Sequence, residues 1–194
     1  MLFLIISIIF ISILGTLSHF LYDISNHNKV VGLFAAVNES TWEHIKIALT
    51  PTFLWGLLDG FLYGLNGNYF LAKLLSILTI IILMPLLFYG HKYIAKRDYF
   101  IFDIATFYIV VISSQLVFYY IINLDYINFI VSYISCVCLF IVFGSYMTLT
   151  LLPLKNFIFK DPLTNKYGYT AHSEQFSINK KISNDTSTCQ VNIK

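Results

Sequence analysis

An all-α, polytopic transmembrane bundle of about five spans is the fold class this sequence predicts, and three observations predict it. Hydrophobic residues fill 58% of the 194 positions, charged residues only 11%, and the mean hydropathy is +0.75, a composition that an ordinary water-soluble domain does not support. Apolar stretches of about 20 residues recur, the length that a helix rising about 1.5 Å per residue needs to cross about 30 Å of hydrocarbon. Lysine and arginine gather in alternate connections between those stretches, as cytoplasmic loops do.

The first span, residues 2–22, carries no formal charge. It has neither a basic n-region nor a small-x-small cleavage site, so it reads as a mature helix and not as a secretory signal. The second span covers 42–65, the third 69–89, the fourth 100–122 and the fifth 126–152, each bounded by polar or turn residues. Lys29 follows the first span, Lys92, Lys96 and Arg97 follow the third, and Lys155, Lys160 and Lys166 follow the fifth. The connections at Asn66-Gly67-Asn68 and Asn123-Leu124-Asp125 contain no basic residue. This alternation places the N-terminus outside and the C-terminus inside a multi-pass protein of the cell membrane. Residues 30–37 are apolar but too short to span, and are expected to lie on the surface, re-enter, or cover the bundle mouth on the cytoplasmic side. The chain thus divides into a membrane domain, 1–169, and a polar tail, 170–194, rich in Ser, Asn, Thr and Lys and expected to be disordered in the cytoplasm.

Composition excludes several functions. A net charge of +2 with dispersed basic residues argues against a nucleic-acid partner and leaves the lipid bilayer as the partner implied. Of three cysteines, Cys136 and Cys138 lie in an apolar run and Cys189 in the tail, so neither a disulfide framework nor a zinc knuckle is present. No phosphate-binding glycine loop and no nucleophile elbow occurs.

Ionisable residues at membrane depth cost free energy, about 2.5 to 3.5 kcal/mol at a helix centre by insertion scales, and so call for a reason. His19, Asp23, Glu39, Glu43, His44, Lys46, His91 and Asp103 all fall near one leaflet under the topology above. Ser12, Gly15, His19 and Asp23 share one stripe of the first span and should face other helices. Read structurally, Ser40 and Glu43 form a capping box, Trp42 anchors at the interface and Lys46 snorkels toward headgroups. Read functionally, Glu43, His44 and Glu39 are candidate catalytic residues. His19, His44, His91 and Asp103 are candidate metal ligands, since carboxylate and imidazole suit such ions. In the second span Gly56, Gly60 and Gly64 repeat at four-residue intervals, a packing stripe that admits another backbone from the same chain or from a second copy in a homo-oligomer. Asp59 beside it is expected to bond to hydroxyls of neighbouring spans or to water, and is a candidate for proton or ion movement. Pro51 and Pro85 are candidate kinks.

Two motifs and a lead-in carry a resemblance: Gly32-Leu33-Phe34-Ala35-Ala36-Val37-Asn38-Glu39-Ser40-x-Trp42-Glu43-His44-x-Lys46, then Phe159-Lys160-Asp161-Pro162-x-Thr164-x-x-Tyr167-Gly168, and upstream His19-Phe20-Leu21-Tyr22. With them the chain resembles an uncharacterised family of small bacterial integral membrane proteins, defined only as a domain of unknown function. The likeness covers nearly everything before the polar tail. Where that family usually has Pro-Pro-His ahead of its Asp-Pro turn, this chain has Pro153-Leu154-Lys155, so one histidine is missing from the polar layer. The resemblance supplies no established activity, and any cofactor stays unknown. Three functions stay open: an integral membrane protein of unassigned activity built around the polar layer at Asn38 to Lys46, a metal-assisted membrane enzyme using Glu43 and His44, and a small ion or solute transporter using Asp59.

Overall fold

The computed structural model describes residues 1–65, 67–96 and 100–171, so the tail expected to be disordered lies, from residue 172, outside the described residues, as does Arg97. Among the described residues six helices follow in order: α1 (Leu2–Ile24), α2 (Lys29–Gly32), α3 (Thr41–Tyr63), α4 (Tyr69–Ala95), α5 (Phe100–Ile122) and α6 (Phe129–Leu151). All but the one-turn α2 are long and apolar enough to cross a membrane. Among the described residues there is no strand, only an isolated bridge between Lys160 and Tyr167.

The chain ends each helix with local chemistry. After α1, Asn26 and His27 turn left-handed (φ 54° and 62°), conformations that stop a right-handed helix. Asn28 then caps α2 by accepting from the Val30 amide at 2.9 Å. Gly64 closes α3 at φ 73°, where a Cβ would be strained, so α3 stops just short of the expected residue 65. Asn128 caps α6 through the Ile130 amide at 2.8 Å, which moves the start of this helix inward from the expected residue 126. α4 continues beyond the expected residue 89 to Ala95, carrying His91 and Lys92 on its last turn. Pro51 and Pro85 both sit inside continuous helices.

α4 is the hub: it packs along α5 and also against α3 and α6, while α1 closes the other side against α3 and α5. Ile45, Leu49, Ile77, Ile80, Met84 and Val110 form the buried centre. The outward faces are apolar as well, as for Ile13, Leu57, Ile82 and Ile130, which suits lipid and not water. One end of the bundle gathers the α1–α3 connection, the end of α4 and the segment after α6, and with them Lys29, Lys92, Lys96, Lys155, Lys160 and Lys166. At the opposite end Asn68 joins the two short connections, donating to the carbonyls of Leu124 (2.9 Å) and Asp125 (3.0 Å) and accepting from the Ile127 amide (3.2 Å).

Candidate functional site at the basic end of the bundle

The segment between α1 and α3 folds over the bundle mouth, one of the placements expected for it. Ala35, Ala36 and Val37 are buried there, and the Ala36 amide donates to the Ser18 carbonyl at 3.3 Å. A buried loop has backbone groups that need partners, and the charged motif supplies them. Glu43 accepts from the Val37 amide at 3.0 Å; Lys46 donates to the Gly32 carbonyl at 2.8 Å; the two side chains pair with each other at 2.5 Å. Two further carbonyls are taken by hydroxyls, Leu33 by Tyr146 at 3.0 Å and Phe34 by Thr50 at 2.8 Å.

These contacts correct three expectations. Ser40 and Glu43 do not form a capping box: Ser40 makes no side-chain cap, its own amide is bonded by Asn38 Oδ1 at 2.9 Å, and Glu43 reaches past it to Val37. Lys46 does not snorkel, because its side chain is 0% exposed and its ammonium is held between a carboxylate and a carbonyl. Trp42 is no interfacial anchor; it is buried and stacked on Phe159 with ring centroids 4.8 Å apart. Satisfying a buried backbone outweighs a local cap, since each orphaned polar group costs about 1 to 3 kcal/mol.

The segment after α6 straps this loop down. Ile158 accepts from the Trp42 amide (2.9 Å), Gly168 accepts from Asn38 Nδ2 (3.1 Å), and the Tyr169 hydroxyl donates to the Lys29 carbonyl (2.9 Å). Asp161, fully buried, shapes the strap by accepting from the Thr164 amide (3.0 Å) and hydroxyl (2.5 Å). Burial, then the Tyr22 phenol and the Glu43 carboxylate, pushes the Tyr169 phenol up to about 12. Gly32 lies under this tyrosine; a Cβ there would stand 2.8 Å from its ring.

With Glu43 engaged, the chemistry-bearing residues at this end fall into two groups. In the first, Glu39 lies between two imidazoles: Oε1 is 3.5 Å from His19 Nε2 and Oε2 is 3.9 Å from His44 Nε2, with the rings 6.0 Å apart. The three side chains remain 28%, 36% and 17% exposed for His19, Glu39 and His44. His44 Nδ1 sits 3.0 Å from the Ser40 carbonyl; a carbonyl only accepts, so that nitrogen donates there, and Nε2 is the nitrogen turned toward Glu39. In the second group His91 Nε2 lies 3.2 Å from Asp103 Oδ1 without hydrogen-bond alignment, while its Nδ1 is held 3.0 Å from the Leu87 carbonyl. Phe88 stands between the groups, its ring centre 5.8 Å from both His44 and His91. The expected metal ligands are therefore divided, and among the described residues no three His, Cys, Asp or Glu side chains are placed to hold one ion.

The remaining expectations concern α3. Asp59 bonds neither to neighbouring hydroxyls nor outward; it pairs with Lys73 of α4 at 2.5 Å, both side chains buried, and Lys73 also lies 4.3 Å from the centre of the Phe118 ring. The signal for this pair was in the sequence: Asp59 and Lys73 stand equally far from the middle of the α3–α4 connection, hence at one depth in antiparallel helices. Gly56 and Gly60 face α4 of the same chain. The Tyr69 hydroxyl donates to the Gly56 carbonyl at 2.6 Å, and a Cβ on Gly56 would meet Lys73 Cε at 3.4 Å. Gly64 has nothing within 4 Å of its Cβ position and serves the helix end.

Residues 2–169 match a family model described as a family of unknown function (DUF6512), and the chain belongs to that family. Comparison with curated proteins and with solved structures finds no match.

Proposed function

We propose that this member of a family without an assigned activity is a multi-pass protein of the cell membrane that works from its basic, cytoplasmic end. Its site is an acid–base centre made by His19, Glu39 and His44. The observation that carries this is the division of labour within one motif: Glu43 and Lys46 are buried and bound to backbone, whereas Glu39 is half-exposed and faced by two imidazoles. Such a trio can accept a proton from a polar group reaching it from the headgroup layer and return it, with Glu39 stabilising whichever imidazole is charged. His44 is the better-positioned base, since Nδ1 is tied down and Nε2 is presented. His91 and Asp103 flank the centre behind Phe88.

The transport alternative gains less support. Asp59 is neutralised by Lys73, and fully buried Ile77, Ile80, Met84 and Val110 lie between that pair and the histidines. The metal-assisted alternative loses Glu43 as a ligand and requires the two rings to swing together across Glu39.

Protein with ¹³C,¹⁵N-labelled histidine and glutamate in lipid bilayers tests the proposal by solid-state NMR, through the through-space contacts of the imidazole nitrogens. His19 Nε2 and His44 Nε2 should each show a contact to the Glu39 carboxylate carbon, and Glu39→Gln should shift both sets of imidazole resonances while leaving those of His91 in place. Absent contacts, with imidazole resonances unchanged by Glu39→Gln, would remove the acid–base centre. One equivalent of Zn²⁺ added to the same sample separates the metal alternative: stoichiometric displacement of both His19 and His44 resonances favours it, and unchanged spectra reject it.

A further inference from the structure

At the end of the bundle away from the histidines, two cavities open between α3 and α6 above α4. The larger, about 770 Å³, is an open groove walled by apolar side chains including Phe53, Phe61, Leu139, Phe140 and Phe143, with Gly56 and Gly60 also in its lining. The smaller, about 460 Å³, lies at the bundle end and adds Ser132, Tyr126, Tyr133 and Gly67. Leu65, Phe70 and Cys136 line both, so the two form one cleft, apolar within and hydroxyl-bearing at its mouth.

We propose that this cleft binds one membrane phospholipid, its acyl chain in the larger apolar groove and its headgroup at the mouth. This rests on the chain lying in a bilayer, and is independent of the acid–base centre. The division of the cleft along its length matches a molecule with an apolar tail and a polar end. The lining residues of the mouth offer hydroxyls and the backbone but no cation, which suits a zwitterionic head better than an acidic one. A helix of a second copy fits poorly, because close approach through Gly56 and Gly60 is already taken within the chain. A Cβ on Gly60 would stand 2.9 Å from Leu65 Cδ2 and 3.5 Å from the Tyr69 hydroxyl. The rim is open to the membrane, with Phe61 93% and Phe140 74% exposed, and space between spans at that depth fills with hydrocarbon. Lys73 forms part of the wall, so a seated acyl chain covers its ion pair with Asp59 and keeps water from it.

The test uses the full chain in nanodiscs of phosphatidylcholine carrying a photoactivatable diazirine on one acyl chain, with adducts mapped by peptide mass spectrometry. Adducts on Phe61, Leu139, Phe140 and Phe143 should exceed several-fold those on the outward-facing Ile5, Ile82, Ile109 and Ile112. Cys136→Trp, which places an indole where the chambers join, should lower the cleft adducts several-fold and leave the others unchanged. Leu139→Trp provides the same block should the first variant fail to fold. Adducts spread evenly over all outward faces in the wild-type protein would mean annular lipid only and overturn the proposal. So would a dimer, by light scattering, with Cys136 of two copies joined on oxidation.

Discussion

Lys46→Met tests the central structural claim at the basic end, that a buried ion pair holds the loop over the bundle mouth. The methionine keeps length and apolar volume, so packing changes little, but Glu43 is left charged with its side chain only 4% exposed. Breaking one partner of such a buried pair costs about 3 to 5 kcal/mol, because the surviving charge has lost its counter-ion. The Gly32 carbonyl loses its donor as well, a loss of about 1 to 3 kcal/mol that overlaps with the first and is not to be added in full. Lys46→Met/Glu43→Gln removes the stranded charge while leaving an amide able to accept from Val37, and should recover roughly 2 kcal/mol or more of the single-variant loss. Equilibrium unfolding in mixed micelles measures all four corners of the cycle. Maleimide labelling of a cysteine placed at the buried Ala36, in a background without native cysteines, reports loop opening. A cost below about 1 kcal/mol for Lys46→Met, the range of an exposed pair, together with unaltered labelling, would refute the buried clamp.

Glu39→Gln should behave oppositely, costing less than about 1 kcal/mol in the same assay, because its contacts are long and partly exposed. Gly32→Ala should destabilise by about 1 to 3 kcal/mol, since its Cβ would meet the Tyr169 ring at 2.8 Å and Val37 Cγ1 at 2.9 Å. Faster proteolysis within residues 160–171 would locate that effect in the strap. Difference absorbance between wild type and Tyr169→Phe should show this phenol ionising near pH 12 and not near 10. Because its folded-state value is raised, its stabilising share is whole below about pH 10 and is lost as pH rises through about 12; a strap that loosens between pH 8 and 9 would contradict this.

The spans were legible in the sequence because they rest on one strong periodicity-free signal, apolar length against bilayer thickness, and helices α1, α4 and α5 begin where that signal begins. What it could not supply were ends governed by single residues, such as Gly64 and Asn128. The candidate site was legible as a location but not as a set of roles. Ser40 and Glu43 have capping-box spacing, yet the buried amide of Val37, six residues before Glu43, competes for the same carboxylate and wins. Lys46 three residues after Glu43 already had the spacing of a helical ion pair, a hint that it points inward with its partner. No spacing rule brings Tyr146 to Leu33 or Gly168 to Asn38, because those contacts depend on how the end of α6 meets the mouth of the bundle.

The two recognisable motifs therefore have one physical cause. A buried non-helical loop at the end of the bundle must find partners for its backbone, and Asn38, Glu43, Lys46, Asp161 and Gly168 serve this loop and its strap through hydrogen bonds or turn geometry. Trp42 and Phe159 lock the strap by stacking. Setting those residues aside leaves His19, Glu39 and His44, which come from the end of α1, the covering loop and the start of α3 and meet only when the loop is down. The clamp and the trio are thus linked: opening the loop by Lys46→Met should also separate Glu39 from the imidazoles. The contacts of both imidazoles to the Glu39 carboxylate should then vanish in that variant although all three residues are intact. Contacts that persist in an open loop would mean that the trio is assembled by α1 and α3 alone, and that the clamp serves stability without serving the site.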